Sequence, residues 1–179
     1  TAPFEVRCQG PFRFDLPSKV SSFEDRVQVR QVVDSHTVNE LHCDRLALHF
    51  DTPENPADGA DTESLAQLRL TAIDAVGRQV LLRAPSYQAN IQTQRLSYNL
   101  ATQTLMAIGQ GTTLVQNRHQ LACAEFRYKL GQNNAIGDLI ALGKGSFTGI
   151  VSAEVDRQVI QARWDNKLQI QSIKNKKVL

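Results

Sequence analysis

Apolar residues alternate with polar ones along most of this chain, and the alternation slips by one residue at matching places. In Leu41-His42-Cys43-Asp44-Arg45-Leu46-Ala47-Leu48 the odd positions Leu41 and Cys43 give way to the even positions Leu46 and Leu48. The same slip occurs in Ile91-Gln92-Thr93-Gln94-Arg95-Leu96-Ser97-Tyr98 and in Leu121-Ala122-Cys123-Ala124-Glu125-Phe126-Arg127-Tyr128. Side chains on a strand alternate faces, so Leu41 and Cys43, Ile91 and Thr93, and Leu121 and Cys123 each share a face. An inserted residue at Asp44-Arg45, Gln94-Arg95 and Ala124-Glu125 returns the later apolar residues to that face and bends the strand. Bends at equivalent places predict a sheet with a crease running across its strands.

The slipped segments belong to an internal repeat, which is clearest between Ser86 and Thr148. Leu105-Met106-Ala107-Ile108-Gly109-Gln110-Gly111 follows one copy past a turn, and Leu139-Ile140-Ala141-Leu142-Gly143-Lys144-Gly145 follows the next. The segment from Asn39 to Phe50 is an earlier copy of the first half, and Leu68-Arg69-Leu70 with Val80-Leu81-Leu82 completes that unit. Before it, Phe4, Val6 and Cys8 alternate and pass through Gly10-Pro11 into Phe12 and Phe14, which predicts two short strands about a turn. Val27 to Val32 reads as the next strand, after a polar connection from Ser18 to Arg26. Near the end, Val159 to Ala162 and Leu168 to Ile173 predict a hairpin turned at Asp165-Asn166-Lys167 and capped by Trp164, the one tryptophan. No helical period is sustained anywhere, so the expected class is all-β, a stack of antiparallel strands.

Residues 51–64 break the pattern: Asp-Thr-Pro-Glu-Asn-Pro-Ala-Asp-Gly-Ala-Asp-Thr-Glu-Ser is acidic, rich in Pro and Gly, and without apolar periodicity. It sits where the next repeat has a short turn at Asn99 to Gln103, so it reads as a mobile loop within one domain spanning 1–179 rather than as a linker.

Twenty basic and eighteen acidic residues leave a net charge of +2, which gives no pull toward nucleic acid. Lys174-Asn175-Lys176-Lys177 is the sole basic cluster and reads as a solvated tail. No apolar run approaches the roughly eighteen residues of a membrane-spanning helix, and the first residues lack the regions of a signal peptide, so a soluble chain is expected. Alternation already under way at Phe4 fits a piece of a longer protein. The three cysteines allow at most one disulfide. Cys43 and Cys123 hold the inner repeat position that Thr93 holds between them, which favours small buried side chains over a bridge.

Candidate chemistry is thin. Glu40, His42 and Asp44 are three metal-ligand types on one strand face, but Leu41 and Cys43 are the inward residues, so that face is the solvated one. His36, His49 and His119 add no useful spacing. Gly109-Gln110-Gly111 and Gly143-Lys144-Gly145 open no helix and lack the continuation of a phosphate loop; paired glycines in strands mark bulges or close backbone approach. No catalytic constellation, metal site or cofactor motif emerges. What remains is an apolar inner face with no helix to cover it, which either closes on itself or lines a groove, and edge strands that need capping or pairing.

The half-repeat apolar-x-small-x-x-apolar-x-Tyr, a turn, then Leu-x-Ala-x-Gly-x-Gly resembles the OstA-like superfamily of bacterial lipopolysaccharide-transport proteins. Ile91 to Gly111 and Leu121 to Gly145 carry the resemblance, with weaker echoes at Leu41 to Phe50 and Val159 to Ser172. It implies a β-jellyroll folded along its length like a taco, a periplasmic or cell-envelope location, and a non-catalytic, cofactor-free role. It further implies acyl chains of lipopolysaccharide or a related lipid bound in the interior, and association with other OstA-like domains by edge strands or end to end. On that basis the lipid-lining residues are Leu46, Leu48, Leu96, Tyr98, Leu105, Phe126, Tyr128 and Leu139. The alternative is a structural or protein-interaction scaffold whose interior is filled by its own side chains.

Overall fold

The computed structural model describes residues 4–52, 68–129, 137–152 and 157–171. Most of the acidic 51–64 stretch, the Lys174 to Lys177 cluster and Ile173 lie outside the described residues, and the readings made for them go no further. Among the described residues twelve strands form one antiparallel sheet. They are β1 (Phe4–Arg7), β2 (Phe12–Asp15), β3 (Val20–Val32), β4 (Val38–Asp51), β5 (Arg69–Ala84), β6 (Ala89–Asn99), β7 (Thr104–Gln116), β8 (His119–Lys129), β9 (Asp138–Leu142), β10 (Gly145–Ser152), β11 (Arg157–Trp164) and β12 (Lys167–Ile170). A single 3-10 turn, Pro85–Tyr87, is the one helical element among the described residues, and none of their helices could cross a membrane.

Each pairing from β3 to β8 shifts register at a matching place, β4–β5 once more at His49/Phe50, and the matching shifts align into a crease that divides the sheet into two leaves. One leaf runs β1-β3-β4-β5-β6-β7-β8-β10-β11 and uses residues 27–32, 38–43, 80–84, 89–93, 112–116 and 119–123 of the shared strands. The other pairs β2, β9 and β12 with the remaining halves of the same strands. The chain is thus a β-jellyroll folded along its length, with both inner faces apolar; the crease is as the repeat pattern predicts, and the jellyroll is as the resemblance implies.

The bends occur at the predicted places, but the extra residues sit mainly on the partner strands. Val76 pairs with Arg95 and Val80 with Thr93, so Gly77, Arg78 and Gln79 on β5 oppose Gln94 alone. On β7, Gly109, Gln110 and Gly111 likewise oppose Ala124, between the pairs Ile108–Glu125 and Thr112–Cys123. On β3, Asp25 and Arg26 oppose Asp44, and both have positive φ, 61° and 47°. A Cβ on Gly77 would lie 2.9 Å from the Asp44 backbone nitrogen, and one on Gly109 would lie 2.8 Å from that of Gln94. The crease therefore needs glycine where one bulge presses on the next strand.

Two sequence expectations are corrected. The polar stretch from Ser18 to Arg26 is mostly strand, since β3 begins at Val20. It reads as a connection because Ser21 takes an inward position that other strands give to leucine, and because Asp25-Arg26 is the bulge. Asp165-Asn166 is not a hairpin turn: β11 pairs with β10 and β12 pairs with β9, so the segment is a corner at the crease. There Gly143 N–H donates to Asn166 C=O at 2.8 Å. The early strands behave the same way, with β1 and β2 each pairing β3 and the corner between them at Cys8 to Pro11.

Candidate functional site: the cleft between the leaves

The eight predicted lining residues come together on one wall. Leu48, Tyr98, Leu105, Tyr128 and Leu139 lie in one cross-strand rung that runs Leu48–Ile73–Tyr98–Leu105–Tyr128–Leu139–Ile170. Leu46, Leu96 and Phe126 lie in the adjacent rung, Leu46–Ala75–Leu96–Ala107–Phe126–Ala141–Leu168. In the second rung large side chains alternate with Ala75, Ala107 and Ala141, each 0% exposed, so Leu96 and Phe126 each sit between two alanines. That alternation lets this rung fill the space next to the crease at close packing.

The opposing wall was not among the lining residues named from the sequence, although the alternation puts Leu41, Ile91 and Leu121 on the inner face. It is the rung Leu41–Leu82–Ile91–Leu114–Leu121–Phe147 on the other leaf. Next to the crease the walls meet. Leu46, Leu96 and Phe126 belong to one buried cluster with Val27, Val80 and Leu121, and Phe126 is fully enclosed. Tyr98 and Leu105 are half-buried, farther from the crease. Burial pushes the Tyr98 phenol above its ordinary pKa, and the Tyr87 phenol adds to the shift.

Toward the C-terminal end of the stack a narrow cleft lies between the leaves, partly open to solvent, with a cavity volume of about 30 Å³. Leu114, Leu121 and Phe147 form one side; Tyr128, Leu139 and Ile170 form the other. Gln116 and His119, a cross-strand pair, stand at its rim. Tyr128 and Leu139 are the two predicted lining residues that reach this cleft, while Leu46, Leu96 and Phe126 are closed core.

The crease itself carries polar chemistry that the spacing did not disclose. Thr93 Oγ1 lies 2.9 Å from Ile108 C=O and 3.0 Å from Thr112 Oγ1, and the Thr112 hydroxyl donates to Gly109 C=O at 2.9 Å. Cys123 Sγ, at the position equivalent to Thr93, donates to Glu125 C=O at 3.3 Å. Cys8, Cys43 and Cys123 are all free thiols. Burial pushes Cys43 up to about 12, with Asp44 adding to it, and burial pushes Cys123 up to about 11. Low thiolate content makes both inert rather than nucleophilic.

On the outside, Glu40, His42 and Asp44 point away from the interior. Glu40 pairs with Arg30 at 3.2 Å, and Asp44 Oδ2 accepts the Arg78 backbone N–H at 2.8 Å. No cluster among the described residues could hold a metal ion. His49 Nε2 lies 2.9 Å from Asp74 Oδ2, and the Ser97 hydroxyl donates to the other oxygen of Asp74. With the carboxylate between the serine and the histidine, no base reaches the hydroxyl, so this line is a cross-strand clasp and not a nucleophilic triad.

The fold defines the class: a β-jellyroll folded along its length. It matches the crystal structure of LptH from Pseudomonas aeruginosa, described as the LptA-homologous periplasmic component of the conserved lipopolysaccharide transport device. The match covers 90% of this chain and 94% of that one, with a TM-score of 0.54 and 10% sequence identity. At that identity the likeness is one of fold. No protein-family model matches the chain, and no curated protein matches its sequence.

Proposed function

We propose that this chain is a non-catalytic lipid-binding module of the bacterial cell envelope, working in the periplasm, which holds an acyl chain of lipopolysaccharide or a related lipid between its two leaves. The observation that carries the reading is the cleft, in which Tyr128 and Leu139 from one inner wall face Leu114 and Leu121 from the other. The LptH-like fold supports it, since that protein serves lipopolysaccharide transport. Burying acyl carbons contributes about 0.8 kcal/mol per methylene, so a dozen yield on the order of 10 kcal/mol. A chain held by apolar contact alone passes readily to a similar groove. Leaf parting farther along the stack would extend the slot past Leu105 and Tyr98.

The partners proposed are lipopolysaccharide or a similar lipid and other folded β-jellyrolls, joined edge to edge. At one end β1 and β2 each pair on one side among the described strands, and at the other end so do β11 and β12. Phe4 and Phe12 are exposed at the first edge, and Val159 and Ile160 at the second. Open edges of this kind invite strand addition.

A second reading, a structural scaffold filled by its own side chains, is favoured by the complete burial of Phe126, Leu46 and Val80 at the crease. Titration with a fluorescent lipid A analogue separates the two. A carrier binds it saturably and loses affinity on Leu139→Asp with the fold retained; a scaffold shows no saturable binding.

A further inference from the structure

We propose that His119 and Gln116 form a polar rim that reads the anionic head group of a lipid whose acyl chain is seated in the cleft. The inference rests on the lipid-binding reading and adds what end of the lipid this site takes. Six of the eight side chains that line the cleft are apolar or aromatic; Gln116 and His119 are the polar exceptions, opposite one another in register at the turn between β7 and β8. Arg118, exposed in the same turn, adds a positive charge beside them. An apolar slot with hydrogen-bonding groups and a cation at one end complements a chain that carries a carboxylate or a phosphate.

The repeat supplies an internal comparison. His119, Ala89 and Asn39 each stand two residues before the first inward leucine or isoleucine of their strand. Asn39 is buried and satisfied within the chain: its Nδ2 donates to Gln31 Oε1 at 3.2 Å and its Oδ1 accepts the Ser86 hydroxyl at 2.9 Å. His119 Nδ1, enclosed near Gly149, has no hydrogen-bond partner. The ring is held instead by stacking on Phe147, with centroids 5.9 Å apart and planes 12° apart. A buried N–H without an acceptor is rarer than a bare lone pair, which assigns the proton to Nε2. Nε2 is then the ring nitrogen left to donate to an oxyanion in the cleft, from a ring already fixed in place.

The test uses three single-chain probes, each below its micelle concentration: dodecanoate, dodecyl phosphate and dodecyltrimethylammonium, competed against cis-parinaric acid on the full chain. The expected result is that both anions bind more tightly than the cation. His119→Phe, which keeps the aromatic stack, weakens the anions by about tenfold and leaves the cation unchanged. His119→Gln restores most of the anion affinity, and matching melting curves show that the variants fold. Equal binding of all three probes, or anion affinity unchanged in His119→Phe, overturns the rim assignment while leaving the groove intact. No binding of any probe overturns the groove and the rim together.

Discussion

Thr93 and Thr112 place their hydroxyl oxygens 3.0 Å apart at the bottom of the crease, both buried, on neighbouring strands. Between them they satisfy carbonyls of the Gly109 bulge that would otherwise face apolar side chains. Thr112→Val keeps the shape and removes the hydroxyl, leaving Gly109 C=O short of a donor. The expected loss is about 1–3 kcal/mol in urea unfolding, and the Thr93→Val/Thr112→Val double variant should lose less than the sum of the single variants. Additive losses would show that the two hydroxyls act separately.

Gly77 faces Asp44 across the crease at a distance that no Cβ tolerates without movement. Gly77→Ala is expected to destabilise by about 1–3 kcal/mol through backbone displacement. Asp44→Ala removes only the acceptor of the Arg78 N–H, and because that pair is exposed the expected loss is about 1 kcal/mol or less. Chemical denaturation midpoints order the two variants; equal losses would mean that the clip matters as much as the close approach.

Cys43 predicts an alkaline limit to stability. Its folded pKa is raised, from 9.0 to about 12, so the folded state holds its proton more tightly than the unfolded chain does. The contribution is complete below pH 9 and is lost as pH rises from 9 to 12, where the unfolded thiol ionises and the buried one does not. Stability should therefore fall across that window, and Cys43→Ala should lessen the fall. A pH profile identical in the variant would place the alkaline sensitivity elsewhere.

Much of the architecture is legible in the alternation of apolar and polar residues. Two-residue periodicity assigns Leu46, Leu96 and Phe126 to one face, and the slip at Gln94-Arg95 locates the crease, because both are local properties of a strand. What escaped depends on which strand lies beside which. Asp165-Asn166 has the composition of a hairpin turn, yet β11 and β12 pair with different strands, and no local pattern separates a corner from a turn. The opposing wall of Leu114 and Leu121 follows from the fold-over itself. His119 carried no signal in spacing to other histidines; its one available clue was its equivalence to Asn39 in the repeat.

The central claim is that the space between the leaves receives an acyl chain, and site-specific photocrosslinking tests it most directly. A photoreactive amino acid placed singly at Tyr128 and Leu139, with outward-facing Gln92 and Arg127 as controls, is irradiated in the presence of lipopolysaccharide. The account predicts adducts at the two cleft positions and none at the two outer ones. Equal labelling at all four positions, or labelling at none, would contradict it and leave the self-filled scaffold as the better description.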